Sequence, residues 1–124
     1  MSELALIEIE DRGDLIVADV SGEIDLANVG QVRRRLLDAV PNHATGLVAD
    51  LTDVLHLDSS GVHLLFELAR SLQLRQQRLC VVAPPEALGT RVLYITGFHR
   101  IVPVTTTVGE AVARLDAEAP AAPA

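Results

Sequence analysis

The sequence predicts a single α/β domain built on a mostly parallel β-sheet, and three observations lead to this prediction. Strand-like aliphatic runs alternate with stretches of helical spacing along the chain. Hydrophobic residues make up 49% of the sequence and aromatic residues only 2%, which is typical of a packed aliphatic core. The 124 residues are an ordinary length for one domain and too few for two full cores. Strands and helices that alternate in this way form parallel sheets with right-handed crossovers.

Two strands open the chain and are expected to form an antiparallel hairpin. Apolar residues alternate with other residues over 5–9, and Asp11-Arg12-Gly13 offers a turn. A second strand is expected over 15–20, and Ser21-Gly22 marks its end.

The remaining elements are expected to alternate in type. Asn28 is a candidate N-cap of the first helix, with Gln31 three residues later as in a capping box, and Pro41 ends that helix. The elements expected after it are a strand over 46–51, a helix from about 58 to 74, a strand over 78–82, a helical segment over 84–96, a strand over 101–104 and a helix over 108–115. The prediction is a sheet of about five strands with an antiparallel N-terminal strand, packed with about four helices. It places one domain over residues 1–116 and a disordered tail over 117–124.

The charge of the chain excludes several classes of partner. The net charge is −7, with 17 acidic residues against 10 basic ones, all of which are arginines. Nucleic acid and anionic membranes both require a basic footprint, so we expect no direct binding to either. Arg33, Arg34 and Arg35 form the one basic cluster, which we interpret as a solvated helix face, with a local acidic partner as the alternative.

Signals for export and for disulfide formation are missing from the sequence. The N-terminal residues lack the order of a signal peptide, and no apolar run reaches the length of a membrane span. Cys80 lies within the apolar run 79–82, where we expect a buried core thiol. A lone cysteine makes no internal disulfide, which agrees with a reducing, cytoplasmic location.

The turn from the third strand into the second helix holds the candidate functional side chains. Asp58 is expected to be an N-cap, because its carboxylate can accept from the free N–H groups of the first turn. Ser59 and Ser60 then occupy the first helical positions, at the strand end where open α/β sheets place their binding sites. Helical phase puts both serines off the centre of the core face. The phase leaves open which hydroxyl acts and whether both serines only cap the helix.

Catalysis is a competing interpretation of the same turn. Ser59 and His63 lie one helical turn apart and could form a nucleophile–base pair. However, no Gly-x-Ser-x-Gly elbow is present, and a chain of this size has little room for a substrate pocket and an oxyanion hole. We therefore expect no enzymatic activity. We also expect no metal or cofactor, because there is no Gly-rich phosphate loop and the histidines lack ligand spacing; these are His43, His56, His63 and His99.

Three motifs, in order and spacing, resemble those of the STAS-domain anti-sigma factor antagonists. The run Asp58-Ser59-Ser60-Gly61 after an apolar strand resembles the phosphorylation motif of that family. Ser21-Gly22-Glu23-Ile24-Asp25 resembles its Gly-Glu-(Leu/Ile)-Asp turn, and Thr96-Gly97-Phe98 within 92–102 looks like its late Ser-Gly-Leu segment. The resemblance covers roughly residues 5–115.

The resemblance implies a partner-switching function. In its unphosphorylated form such an antagonist binds an anti-sigma factor, which is a serine kinase of the GHKL ATPase type, and thereby frees the sigma factor. The kinase phosphorylates the serine that follows the motif aspartate, here Ser59, and releases the antagonist, which a metal-dependent Ser/Thr phosphatase resets. The resemblance also implies that Asp25 and Asp58 lie in the kinase-facing surface.

We expect Ser60, Gly61 and His63 to belong to the same partner-binding surface. His63 stands where many members of the family have a small residue, which bears on the identity of the kinase more than on the switch. Two other functions stay open at this point. One is a STAS scaffold or ligand-sensing module in a larger assembly without phosphorylation, and the other is a small enzyme that uses Ser59.

Overall fold

A five-stranded sheet forms the centre of the computed structural model, which describes residues 5–118. The strands lie in sequence order across the sheet, and β1 alone is antiparallel to its neighbour. The strands are β1 (Ala5–Arg12), β2 (Leu15–Ile24), β3 (Gly46–Leu57), β4 (Arg78–Val82) and β5 (Val104–Thr105). The helices are α1 (Val29–Asp38), α2 (Ser59–Leu74), α3 (Thr90–Ile95) and α4 (Val108–Glu118), with a 3₁₀ turn over Phe98–Arg100. The predicted fold class is confirmed.

The helices cover the two faces of the sheet unequally. One face carries the large aliphatic core beneath α1, α2 and α3. The other face is covered by α4 alone, which packs against β3, β4 and β5. We call the core beneath α1, α2 and α3 the first core and the core beneath α4 the second core. Because side chains alternate along a strand, Leu47 and Ala49 enter the first core and Val48 enters the second. The second face of β1 remains open, where Leu6 and Glu8 are exposed.

Helix α2 buries the face that its periodicity predicts. Its core side chains include Leu65 and Leu68, which are 1% and 0% exposed, whereas His63 and Glu67 lie on the solvent side. Ala69 packs against the same core but is only half-buried. Cys80 is fully buried in the second core, which confirms its prediction as a core thiol.

Two strands run further than the sequence predicts. We expected β2 to end at Val20 and β3 at Leu51, but they continue to Ile24 and Leu57 and pair with each other over the added residues. The register shifts between residues 19 and 21 and again between 22 and 23. Gly22 has a φ of 92°, so the predicted turn at this glycine is a bulge through which the strand continues.

Two elements near the C-terminus are shorter than predicted. Turns occupy most of the segment between Pro84 and Thr90, and α3 begins only at Thr90. The Thr90 hydroxyl donates to the Pro84 carbonyl at 2.6 Å, which closes this loop. The strand predicted over 101–104 is reduced to Val104–Thr105, because the 3₁₀ turn and the loop after it occupy 98–103.

The last helix is longer than predicted. It continues past the expected end at Leu115 to Glu118, so the first two residues of the predicted tail are helical. The rest of that tail, 119–124, lies outside the described residues. None of the helices within residues 5–118 is long and apolar enough to cross a membrane.

Candidate functional site

The parallel pairing of β2 and β3 brings the two motif aspartates to one edge of the sheet. Ile24 and Leu57 are register partners and the last residues of their strands. Asp25 and Asp58 follow them directly, so both leave the sheet at its carboxyl edge. The sequence-predicted turn and the predicted helix entry therefore lie side by side.

Asp58 caps α2 as predicted. Its Oδ1 atom accepts from the backbone N–H groups of Ser60 at 3.0 Å and Gly61 at 3.3 Å. The same oxygen accepts from the Ser60 hydroxyl at 2.5 Å. These donors, the Ser60 hydroxyl above all, lower the pKa of Asp58 from its ordinary value, and a contact with His56 adds to the effect. The carboxylate is held ionised at the start of the helix.

The two serines have different environments. The Ser60 hydroxyl is engaged by Asp58, and its side chain is partly buried. Ser59 is exposed, and its hydroxyl makes no hydrogen bond with any residue in 5–118. Helical phase alone left the choice between the two open. In the folded chain, Ser59 is the hydroxyl presented to solvent at the first turn of α2.

The turn that carries Asp25 is closed by a side chain for which we predicted another role. Asn28 precedes α1, but its side chain makes no capping hydrogen bond to that helix, so the predicted side-chain cap is wrong. Instead its Oδ1 accepts from the Asp25 N–H at 3.0 Å, and its Nδ2 donates to the Glu23 carbonyl at 2.8 Å. Asp25 Oδ1 in turn accepts from the Ala27 N–H at 2.9 Å. The Asn28 amide thus shapes the Asp25 turn.

Gly61 is buried, and its small size has a packing reason. A Cβ atom at this position would lie 2.3 Å from Cδ1 of Leu57. A Cβ atom at Gly89, in the loop before α3, would lie 2.9 Å from Cδ2 of the same leucine. Leu57 therefore fits between two glycines and connects the end of β3 to the start of α2 and to the loop before α3. The predicted contact of Gly61 with a partner stays a prediction.

The histidines near the site pair with carboxylates. His63 is exposed, and its Nε2 lies 3.4 Å from Oε2 of Glu67 on the next turn of α2. His56 Nε2 lies 3.5 Å from Oδ2 of Asp58. Ser59 and His63 do not form the nucleophile–base pair that we considered from the sequence. The contact of His56 with Asp58 was missed, since register and side-chain direction at the end of β3 decide it.

A groove between α1 and α2 adjoins Ser60 and was not predicted. It has a volume of about 260 Å³ and is lined by Leu26, Arg33, Ser60, His63 and Glu67 among others. Leu26 at its rim is 80% exposed. The sequence signal that could have indicated this groove is an apolar residue directly after a polar turn, because the turn places that residue outside the core. Arg33, from the arginine cluster of α1, borders this groove.

The described residues offer no metal centre. No group of three or more histidine, cysteine, aspartate or glutamate side chains within 5–118 is arranged to hold a metal ion. The carboxyl edge presents the solvent-facing Ser59 hydroxyl, two carboxylates that follow paired strand ends, and the exposed Leu26.

Known proteins are similar to this chain in both sequence and shape. The STAS domain family matches residues 7–111. An anti-sigma-B factor antagonist of Listeria monocytogenes is 32% identical over 105 residues, which are 84% of this chain and 91% of that protein. The crystal structure of an anti-sigma factor antagonist from Mycobacterium paratuberculosis matches with a TM-score of 0.80 at 27% identity, over 90% of this chain and 94% of that one.

A third comparison supports the fold alone. The anti-sigma factor antagonist SpoIIAA of Bacillus, in its unphosphorylated form, matches with a TM-score of 0.71 at 22% identity, over 93% of this chain and 100% of that one. Its fold matches the five-stranded mixed sheet with four helices described above for this chain. From the family match, the Listeria relative and the motifs gathered at the carboxyl edge, the chain belongs to the STAS-domain family of anti-sigma factor antagonists.

Proposed function

We propose that this chain is an anti-sigma factor antagonist whose affinity for its partner is switched by phosphorylation of Ser59. The partner is an anti-sigma factor of the GHKL serine-kinase type, which the unphosphorylated chain binds so that the sigma factor is freed. A Ser/Thr phosphatase restores the unphosphorylated form, and the cycle runs in the cytoplasm. The observation that carries the proposal is the Ser59 hydroxyl, which is exposed at the first turn of α2 while its neighbour Ser60 is engaged.

The helix start supports phosphate on Ser59 in the free chain. A phosphoserine carries about −1.5 to −2 charges at neutral pH. At the first turn of α2 this charge faces the positive end of the helix dipole and remains in water. Ser59 has no hydrogen bond within 5–118 that modification would break. We therefore expect the domain to keep its fold when it is phosphorylated.

The same charge is costly in a complex. Asp58 next to Ser59 is held ionised, and Asp25 leaves the sheet at the same edge. A partner that covers this edge must desolvate the phosphate beside both carboxylates, and burying an unpaired charge is strongly unfavourable. The cost arises only in the complex. Phosphorylation therefore releases the partner. The surface released comprises Asp25, Asp58, Ser60 and His63, whereas Gly61 is buried beside Leu57.

The names of the similar proteins support the proposed function. The Listeria relative is called an anti-sigma-B factor antagonist, and SpoIIAA has also been solved in a phosphorylated form. For this chain, we infer the corresponding partner and modification from the motif around Ser59.

Titration calorimetry against the partner kinase with nucleotide tests the proposal. We expect the phosphorylated chain to bind at least about tenfold more weakly than the unmodified chain, which corresponds to about 1.4 kcal/mol. Thermal melts of the two forms alone should nearly coincide. Equal affinities would exclude the switch, and a collapsed melting temperature would show that phosphate acts by unfolding the chain.

Two serine variants identify the acceptor. Peptide mass spectrometry after incubation with kinase and ATP should find no phosphate on the Ser59→Ala variant and undiminished phosphate on Ser59 in the matched Ser60→Ala variant. Modification of Ser59→Ala at the wild-type level would overturn the assignment. Binding of the kinase without modification of either serine would favour the scaffold function instead.

A further inference from the structure

Two leucine side chains on segments close to Ser59 are exposed to solvent. Leu26 is 80% exposed and Leu88 is 68% exposed. Neither belongs to the first or the second core, so the stability of the domain gives no reason for a large apolar side chain at these positions. A leucine in water gains free energy when a second protein covers it. The two positions can therefore contribute to binding without a role in folding.

The segments that carry these leucines flank the end of β3, where Ser59 follows. β2 and β4 are the neighbours of β3 in the sheet, one on each side. Leu26 lies two residues after the end of β2, whose last residue pairs with Leu57. Leu88 lies in the loop after β4 and precedes Gly89, which packs against the Leu57 side chain. Each segment beside the end of β3 thus carries an exposed leucine.

The turn that carries Leu26 is fixed by hydrogen bonds. Its backbone closes through the Asp25 carbonyl, which accepts from the N–H groups of Asn28 at 3.2 Å and Val29 at 2.9 Å. The side chains of Asp25 and Asn28 each accept from a further backbone N–H of the same turn, at 2.9 and 3.0 Å. Leu26 is the second residue of this turn, so its backbone is held in place while its side chain is in water.

The loop that carries Leu88 is closed in a similar way. The Pro84 carbonyl accepts from the Ala87 N–H at 2.9 Å and from the buried Thr90 hydroxyl at 2.6 Å. The Thr90 N–H in turn donates to the Ala87 carbonyl at 3.3 Å. A side chain on an ordered backbone costs less entropy to bind than one on a flexible loop. Both leucines are therefore presented from ordered turns.

We propose that Leu26 and Leu88 are apolar anchors through which the chain binds its anti-sigma factor kinase, on the two segments that flank Ser59. The inference rests on the proposed function and identifies what supplies the affinity that phosphorylation of Ser59 then removes. A few well-buried side chains carry most of the free energy of binding in protein interfaces. With no tryptophan and one tyrosine in the chain, leucine is the main large apolar side chain that this edge can offer.

The charges at this edge indicate the chemistry of the partner surface. Asp25 directly precedes Leu26, and the ionised Asp58 directly precedes Ser59. A complementary surface has apolar pockets with basic groups beside them. A second copy of this chain does not fit, because a symmetric dimer through this edge would bring the carboxylates of both copies together.

Titration calorimetry tests the proposal, against the kinase that modifies Ser59 and with ADP so that no phosphate is transferred. The double variant Leu26→Ala with Leu88→Ala should bind at least about tenfold more weakly than the unmodified chain. In the phosphorylation assay this variant should need a higher concentration for half-maximal rate. Its maximal rate should be unchanged, because the acceptor Ser59 is intact.

Two exposed apolar residues far from Ser59 provide a matched control. Leu74, the last residue of α2, is 80% exposed, and Ile101, in the loop before β5, is 69% exposed. α2 begins at Ser59 and has 16 residues, so Leu74 lies about 20 Å or more along the helix from the acceptor. Leu74→Ala with Ile101→Ala removes a similar apolar surface and should leave the affinity for the kinase unchanged.

Thermal melts of both double variants should stay close to that of the unmodified chain, because all four side chains are exposed. If a double variant is unstable, the calorimetry of its single variants decides.

The outcomes separate this inference from the proposed function. Unchanged affinity of the Leu26 and Leu88 variant, while phosphate on Ser59 still releases the kinase, would overturn the inference and leave the proposed function intact. Equal weakening in the control variant would overturn it too, as would sedimentation of the unmodified chain as a dimer that the leucine variant abolishes. Absence of any kinase binding by the unmodified chain would refute the proposed function, and this inference with it.

Discussion

Neighbouring side chains at positions 58–60 have separate tasks that helical phase does not distinguish. The sequence predicts the cap, because an aspartate before a helical run is a strong N-cap signal. It does not predict that the Ser60 hydroxyl joins the cap while that of Ser59 stays free. That difference depends on where Oδ1 of Asp58 lies once β3 has fixed its backbone. Side-chain rotation of this kind has no signature in residue spacing.

Two substitutions of Asp58 distinguish the contribution of its hydrogen-bond acceptor from the contribution of its charge. Asp58→Ala should lower the free energy of unfolding at pH 7 by about 1 kcal/mol, because two backbone N–H groups lose their acceptor. Asp58→Asn should lose far less, since asparagine caps about as well as aspartate. Urea unfolding of the three proteins measures both changes. An asparagine variant as unstable as the alanine variant would show that the charge, not the acceptor, stabilises the helix.

The destabilisation caused by Asp58→Ala should depend on pH in a defined direction. The folded chain lowers the pKa of Asp58 below its ordinary value of 3.8. Its ionised form is thus favoured by folding, so the contribution is complete above that value and is lost as the pH falls through the lowered pKa. The destabilisation by Asp58→Ala should therefore shrink in strongly acidic solution. A constant difference from neutral to acid pH would contradict this linkage.

At the scale of elements, burial decides which boundaries the sequence predicts. α2 and β4 were predicted closely, because both are bounded by clear changes in apolar pattern. The ends of β2 and β3 were missed because few of the added side chains are buried. Past Leu51 most side chains of β3 are exposed, so the alternation that indicates a strand disappears although the backbone pairing continues. Pairing with a neighbouring strand is not visible in local sequence.

The core face of α2 gives an energetic prediction. Leu65→Ala or Leu68→Ala should each lower the free energy of unfolding by about 2–5 kcal/mol, because each leaves a cavity in the first core. Leu74→Ala, at the end of the same helix and 80% exposed, is the matched control and should cost less than about 0.5 kcal/mol. Chemical unfolding compares the three. Losses below about 0.5 kcal/mol at both core positions would mean that the face is wrongly assigned.

For the whole molecule, the partial cover of the second sheet face leaves like charges side by side. Glu8, Asp19 and Asp50 are successive register partners across β1, β2 and β3. Asp19 Oδ1 is buried and has no hydrogen-bond partner among the described residues. Burial first, then the charges of Asp50, Asp53 and Glu8, raise the pKa of Asp19. The open half of this face is electrostatically unfavourable at neutral pH.

Replacing one of these carboxylates should stabilise the chain. A raised pKa means that stability is lost as the pH rises from the ordinary value of 3.8 through the raised one, since the ionised form is disfavoured by folding. Asp19→Asn should therefore raise the free energy of unfolding by about 0.2–1 kcal/mol at pH 7 and by much less at pH 3. The exposed Asp116→Asn on α4 removes the same charge and should change little. Equal gains from both variants would point to net charge instead.

The position of Leu57 between Gly61 and Gly89 makes three residues of the chain interdependent. An alanine at 61 on its own would push Leu57 from its place and should cost about 1–3 kcal/mol. With Leu57→Ala already present the clash is gone, so the double variant should lose less than the sum of the two single losses, by about 0.5–3 kcal/mol. Additive losses in a double-mutant cycle would refute this coupling. During divergence, enlargement of either glycine should therefore be better tolerated in chains that have a shorter side chain at position 57.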